Sequence, residues 1–397
     1  MKKNILIIPS WYPNKENNLV GSFFQEQALL MSNSGFDVKI LYGREFDINR
    51  IDFFKYRLKN IIFPVKIILQ KNDLIQEPEA FSFPIIRPDY FTEEEKINKI
   101  YNSYTLAFSE LLDSGWKPDV IHAQCTVDAG IVANHLSNLF KIPYLIIEHQ
   151  VFLLNNYSKF KQTLIRDALT NASKVGAVSN HQKRCILMNA IKCDPIIIWN
   201  LVDENKFRVE NGRSDLKFRI ITITYPSFIK DVDTFFKSVA TFCQNCESEV
   251  EIVVIGNNSF GNLQAADTKT YQYLANKYGI TSKVKLISHL SRNEISQILP
   301  TADVFISTSI AETFGVAVRE AMLCGIPVIA TKSGGVEDGI NEQTGVLVNI
   351  GDYEAIAEAL LKIENKQLNF DSNYIRNFAT LQCGKKSFIR QMTLFYA

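Results

Sequence analysis

The sequence predicts an α/β protein built as two successive doubly wound parallel-sheet halves, and three observations predict it. Short apolar runs without polar alternation recur along the chain, as at 5–8, 144–147, 252–255 and 328–330. Strands covered on both faces read this way. Stretches of helical period lie between them, and an alternation of strand and helix implies a parallel sheet. A polar, charged stretch at 200–215 divides the alternation into two series of similar size and reads as a linker. At 397 residues the chain is long enough for two or three domains with sizeable cores.

The first half opens on an apolar strand over 5–8, ended by Pro9. A polar loop, SWYPNKENNLVG, leads to Gly21. Ser22 is expected to cap the next helix, with Gln25 as its capping-box partner and Gly35 as the stop. A strand over 37–41 completes a βαβ unit. The Gly21 loop then falls at the carboxyl end of the first strand, where such sheets bind ligands. The stretch 50–71 mixes aromatic and aliphatic residues with Lys55, Arg57, Lys59, Lys66 and Lys71, and Pro64 interrupts it. It reads as a half-buried helix with solvated lysines in preference to an amphipathic segment lying on a membrane. Helices are expected over 93–114, 128–140, 159–171 and 180–188. Strands are expected over 119–123, 144–147, 175–178 and 196–198, the second of them ending at Glu148-His149.

The second half repeats the pattern, with strands over 219–224, 252–255, 284–287, 304–307 and 345–348. Its helices are expected over 231–246, 263–278, 293–299 and 353–363, and the tail at 373–397 reads as two helices broken at Gly384. The domains are placed at 1–200 and 218–375, joined by a linker at 201–217. A terminal helix at 376–397 is expected to return to the N-terminal domain. Two such halves would face each other across a cleft at their carboxyl edges, a usual place for a ligand.

Residues 311–335, AETFGVAVREAMLCGIPVIATKSGG, carry the chemistry. Glu312 and Glu320 bracket a Phe314-Gly315 turn and the start of a helix. At 1.5 Å per residue the two acids are at most ~12 Å apart along the axis. Helical side chains lean toward the N-terminus, so Glu320 points to the helix mouth. These acids are too far apart to share a proton. They suit two hydroxyl-bearing parts of one extended ligand, with an anion held at the free N–H groups between them. The competing reading makes Glu312 a loop acid that adds a few tenths of a kcal/mol to the helix dipole, and Glu320 a solvated helix residue. Spacing alone does not choose between them.

Composition narrows the field. Hydrophobic residues make up 46% and charged residues 21%, with a net charge of +1, so nothing argues for nucleic acid or an acidic partner. Seven cysteines show no paired framework, and neither a signal peptide nor a bilayer-length apolar run is visible. That suits a reducing cytosol. Cys243 and Cys246 form a lone CxxC inside a helix-patterned run. With no second pair and no nearby His cluster, it reads as structural.

Glu312-Thr-Phe-Gly through Glu320-Ala-Met, then Gly325-Ile-Pro-Val-Ile-Ala-Thr and Gly334-Gly335, resembles the retaining family 4 glycosyltransferases of GT-B fold, also called glycosyltransferase group 1. The opening PSWYP…GSFFQEQA, Asp119-Val-Ile-His, Glu148-His149, Ala177-Val-Ser-Asn and Asn200-Leu-Val-Asp have counterparts in the same order, so the resemblance spans essentially the whole chain. It implies that Glu320 binds the donor ribose and that Glu312, with Thr313, Phe314 and Gly315, holds the transferred sugar. Lys230 would neutralise the diphosphate leaving group, and His149 would lie near the reacting carbon. Gly21 would approach the phosphates and the acceptor, and His289 would lie in the loop near the nucleobase. The resemblance implies no metal and no cofactor beyond a nucleoside-diphosphate sugar as co-substrate. It also implies a glycan or lipid-linked acceptor and no nucleic-acid partner, in a cytoplasmic enzyme of surface polysaccharide synthesis with peripheral contact at the inner membrane face.

Two residues depart from the family pattern. The Arg usual about five residues before the phosphate Lys is missing from 225–229, leaving Lys332 and Arg292 as candidate substitutes. His289 stands where a Gly is usual. The missing Arg motivates the alternative of a non-catalytic GT-B subunit supporting a partner transferase. An epimerase acting on a free sugar nucleotide is a weaker third reading.

Overall fold

The computed structural model describes residues 2–13, 21–62, 69–72, 77–210, 217–256, 265–287 and 290–397. His289, Pro64, Lys66, most of the loop before Gly21 and part of the expected linker lie outside the described residues. The chain forms two compact units. One comprises Met1–Ala177, Lys183–Ile197 and Met392–Ala397, the other Val178–Gln182 and Ile198–Gln391.

The first unit contains β1 (Asn4–Pro9), α1 (Ser22–Asn33), β2 (Asp37–Ile48), α2 (Arg50–Ile62), β3 (Gln70–Lys71), β4 (Glu79–Pro88), α3 (Glu93–Asp113), β5 (Val120–Gln124), α4 (Ile131–Phe140), β6 (Tyr144–Glu148), α5 (Lys159–Asn171), β7 (Lys174–Ala177) and β8 (Ile196–Ile197). The helix α6 (Asn180–Met188) runs from the second unit's portion of the chain into the first. The sheet order is β3-β4-β2-β1-β5-β6-β7-β8, parallel except for β3 against β4. Leu6, Ile8, Phe83, Phe108, Ile121 and Ile146 belong to one buried core. The non-alternating strands are thus covered on both faces, as read from sequence.

Four local expectations need correction. Ser22 does not cap α1; it lies in the first turn, and Gly21 is the N-cap with φ 74° and no side-chain cap. The N–H groups of Phe24 and Gln25 donate to the Gly21 carbonyl. A Cβ on Gly21 would lie 2.6 Å from the Trp11 carbonyl oxygen, so both the dihedral and the close approach require glycine there. The second strand does not end at 41. It continues to Ile48 and pairs with β4 from Lys39↔Glu79 to Ile48↔Pro88. The sequence reading assigns no strand at 79–88, where β4 forms and carries Pro84 and Pro88. The sheet tolerates Pro84 because β3 reaches only Phe81 and Ser82, leaving β4 an outer edge beyond them among the described residues. Finally, the helix expected from 128 begins at Ile131, after an irregular turn in which Cys125 and Asp128 have φ of 77° and 66°.

The second unit holds β9 (Phe218–Thr224), α7 (Val232–Cys243), β10 (Val250–Gly256), α8 (Ala265–Lys277), β11 (Val284–Ile287), α9 (Arg292–Ile298), β12 (Val304–Ser307), α10 (Val316–Leu323), β13 (Val328–Thr331), β14 (Gly345–Val348), α11 (Tyr353–Glu364), α12 (Ser372–Cys383) and most of α13 (Lys385–Tyr396). All six strands are parallel, in the order β11-β10-β9-β12-β13-β14. Phe235, Phe236, Ile252, Val254, Ile329 and Leu360 share its core.

The units part differently from the expected boundaries. Val178–Gln182 groups with the second unit. The tail does not leave at 376: α12 stays with α10, where Arg376 donates to the carbonyls of Leu323, Phe207 and Glu204. Only Met392–Ala397 groups with the first unit, where the Tyr396 hydroxyl meets His122 Nδ1 at 2.8 Å.

Candidate functional site

In the second sheet the strand order reverses between β9 and β12. Open parallel sheets bind ligands outside the carboxyl ends of the strands at such a reversal. The turn after β9 carries Lys230, and the turn after β12 carries Glu312. The two turns are stitched together. Thr308 Oγ1 donates to the carbonyls of Lys230 (3.1 Å) and Asp231 (3.0 Å), and Ile310 N–H donates to the Ile229 carbonyl at 2.7 Å. Lys230 Nζ forms an ion pair with Glu312 Oε1, which also accepts from Ser309 Oγ at 2.9 Å. Both charged side chains remain partly accessible, at 19% and 18%.

The loop after β13 fixes the backbone of Glu312. Its N–H donates to the Ser333 carbonyl at 2.8 Å, and its carbonyl accepts from Gly335 N–H at 2.7 Å. A Cβ on Gly335 would overlap the Thr313 carbonyl, so this glycine lets two loops touch. Phe314 is buried, and its ring centroid lies 6.3 Å from that of Trp199.

Gly315, at φ 76°, is the N-cap of α10, and no side chain caps the helix. The first-turn N–H groups have no partner within the helix, so the mouth favours an anion. Glu320 is 5% exposed and accepts from Arg292 Nη2 at 2.6 Å. That burial overturns the reading of Glu320 as a solvated helix residue. It also places Arg292, which lies over the Phe207 ring at 5.8 Å, with Glu320 rather than with Lys230. Lys332 is exposed, with Nζ 3.4 Å from Asn349 Oδ1. The two proposed substitutes for the missing Arg thus engage Glu320 and Asn349.

The first sheet reverses its strand order between β1 and β5. Gly21 follows β1, and His149 follows β6. The His149 ring is 8% exposed and packs on the first turn of α1, with centroids 5.0 Å from Phe24 and 5.6 Å from Phe23. The structure thus brings the two first-unit residues singled out from sequence onto one local surface. Sequence reasoning passed over the part played by Glu148. Its carboxylate is buried and accepts from Thr126 N–H (2.9 Å) and Gln150 N–H (2.8 Å), tying down the irregular turn after β5. Burial raises its pKa. The available signal was a carboxylate closing an otherwise apolar strand. Among the described residues no group of three or more His, Cys, Asp and Glu could hold a metal ion, and no helix is long and apolar enough to cross a membrane.

Two doubly wound units, each presenting loops where its strand order reverses, make up a GT-B fold. Residues 203–380 match the family model described as glycosyl transferases group 1. Its fold is similar to sucrose-phosphate synthase from Thermosynechococcus elongatus, with TM-score 0.74 and 17% identity, covering 100% of this chain and 98% of that one. It is also similar to HepE of Anabaena, solved in complex with UDP and glucose, with TM-score 0.71 and 18% identity, covering 99% of each chain. A Bacillus subtilis relative, provisionally named the teichuronic acid biosynthesis glycosyltransferase TuaC, is 22% identical over 379 residues, covering 92% of this chain and 90% of that one.

Proposed function

We propose that this glycosyltransferase moves a hexose, with retention and without a metal ion, from a nucleoside-diphosphate sugar to a glycan or glycolipid acceptor in surface polysaccharide synthesis. The observation that carries this reading is the Lys230–Glu312–Ser309 cluster at the strand-order reversal, beside the uncapped mouth of α10. The UDP and glucose bound by HepE support the donor, and the name of the Bacillus relative supports the acceptor class. In this reading Glu320 holds the ribose hydroxyls, and Glu312 holds those of the sugar. Lys230 and the first-turn N–H groups of α10 take the diphosphate. The acceptor oxygen bonds to the anomeric carbon as the bond to the phosphate oxygen breaks, and that phosphate oxygen takes the acceptor proton. No protein base is needed, and Lys230 stabilises the departing charge. His149 borders the sugar.

We further place the chain in the cytosol with peripheral contact at the membrane. On α2, Ile51, Phe54 and Leu58 are 69%, 63% and 47% exposed, with Lys55 and Arg57 exposed beside them. The helix is half-buried with solvated basic residues, as read from sequence, Phe53 being buried; its apolar stripe with basic flanks suits an anionic bilayer surface.

A second reading, a non-catalytic subunit that binds a sugar nucleotide, is favoured by the absence of an Arg at 225–229. A thermal-shift panel of UDP, GDP, ADP, CMP and their sugars tests the donor site. A ligand at 100 times its Kd adds about 2.7 kcal/mol. Absence of stabilisation by every nucleotide rejects the donor site. Stabilisation without transfer to a verified acceptor selects the second reading.

A further inference from the structure

Arg319 stands one residue before Glu320 and has no accessible surface. It is the fourth residue of α10, so its side chain leans back toward the helix mouth. Its guanidinium lies 4.9 Å from the Phe314 ring centroid, and Nη1 and Nη2 donate to the carbonyls of Val336 (3.3 Å) and Gly335 (3.2 Å). Gly339 packs so closely that a Cβ there would overlap the guanidinium. Among the described residues Arg319 has no ion-pair partner, and its Nε has no hydrogen-bond partner. The nearby carboxylate of Asp338 accepts instead from Asn180 N–H (2.7 Å) and Nδ2 (3.0 Å). Burial lowers the Arg319 pKa to about 10, which still leaves it charged at neutral pH.

A buried charge without a counter-ion is destabilising. An anion at the helix mouth would offset that cost. The guanidinium also engages the carbonyls of Gly335 and Val336.

We propose that Arg319 is the positioning residue that provides the second cation of the diphosphate site. It would act from beneath the α10 mouth in place of the missing surface Arg. This inference rests on the donor-site reading above. Its field, with that of Lys230, would favour the charge of the donor diphosphate, and its two hydrogen bonds would hold the 334–336 loop against Glu312.

Isothermal titration of wild type, Arg319→Gln and Arg319→Lys with pyrophosphate, UDP, GDP and ADP tests it, alongside the nucleoside of each nucleotide that binds. At least one diphosphate is expected to bind the wild type. Arg319→Gln should weaken it tenfold or more while changing affinity for the nucleoside far less, and Arg319→Lys should recover part of the loss. A merely structural role would weaken diphosphate and nucleoside together, and that result overturns the proposal. Equal diphosphate affinity in wild type and Arg319→Gln also overturns it, leaving the donor site standing. No binding of any diphosphate to the wild type overturns the donor site and this inference together. If Arg319→Gln does not fold, Arg319→Lys decides: unchanged selectivity for diphosphate over nucleoside supports the charge role, and lost selectivity in a folded protein rejects it.

Discussion

Lys230 and Glu312 meet across 82 residues of sequence because two turns at adjacent strand ends are hydrogen-bonded to each other. The pair is partly accessible, so it contributes at most about 1 kcal/mol to folding. Lys230→Ala should therefore leave stability to urea within about 1 kcal/mol of wild type. If Lys230 stabilises the leaving phosphate, the same variant should lower donor turnover by about 10²–10³ in steady-state kinetics. A comparable loss of both would make Lys230 a structural residue. Glu320→Ala should abolish thermal stabilisation by the nucleotide that binds. His122 permits a pH prediction. Burial lowers its folded pKa to about 3 from an ordinary 6.5. The unfolded chain thus takes up a proton that the folded chain refuses, so this contribution is complete above pH 6.5 and lost as pH falls toward 3. The stability difference between wild type and His122→Asn, measured by urea denaturation, should shrink by up to about 1.4 kcal/mol per pH unit in that window. A difference independent of pH would reject the burial account.

At the scale of elements, the first turn of α1 depends on Gly21. Gly21→Ala should cost about 1–3 kcal/mol from its left-handed dihedral, with added strain against the Trp11 carbonyl. A melting temperature equal to wild type would contradict this geometry. On α2, Phe53 is buried against Tyr90 and Phe91, while Ile51, Phe54 and Leu58 face outward. The double variant Ile51→Ser, Phe54→Ser should reduce co-flotation with anionic vesicles and leave the circular dichroism spectrum unchanged. Equal flotation would leave the stripe without a membrane role. Elements of strong period were legible: α5, α6, β11, β12 and β14 fall where periodicity placed them. β4 was not, because its prolines are tolerated only through its position at an edge, which depends on where β3 ends. The α1 cap was misread because Ser22 has the right chemistry but the wrong backbone position.

At the scale of the molecule, all seven cysteines are free. A thiol titration in denaturant should count seven, and melting temperature should not change on adding reductant. A lower count would reveal a disulfide the fold does not need. The sequence by itself determined the alternation of strand and helix, the two-unit α/β architecture and the likeness to the group 1 glycosyl transferases, because apolar period and turn chemistry are local and the Glu312-to-Glu320 motif is contiguous. It also nominated Lys230, Glu312, Glu320, Gly21 and His149. Only the tertiary structure decided which of these meet. It paired Glu320 with Arg292 and Lys230 with Glu312, and it buried Arg319, which in sequence is indistinguishable from a solvated helix residue. Ion pairs and buried charges follow from strand order and loop contact, which join residues far apart in the chain, and a one-dimensional pattern carries no record of those distances.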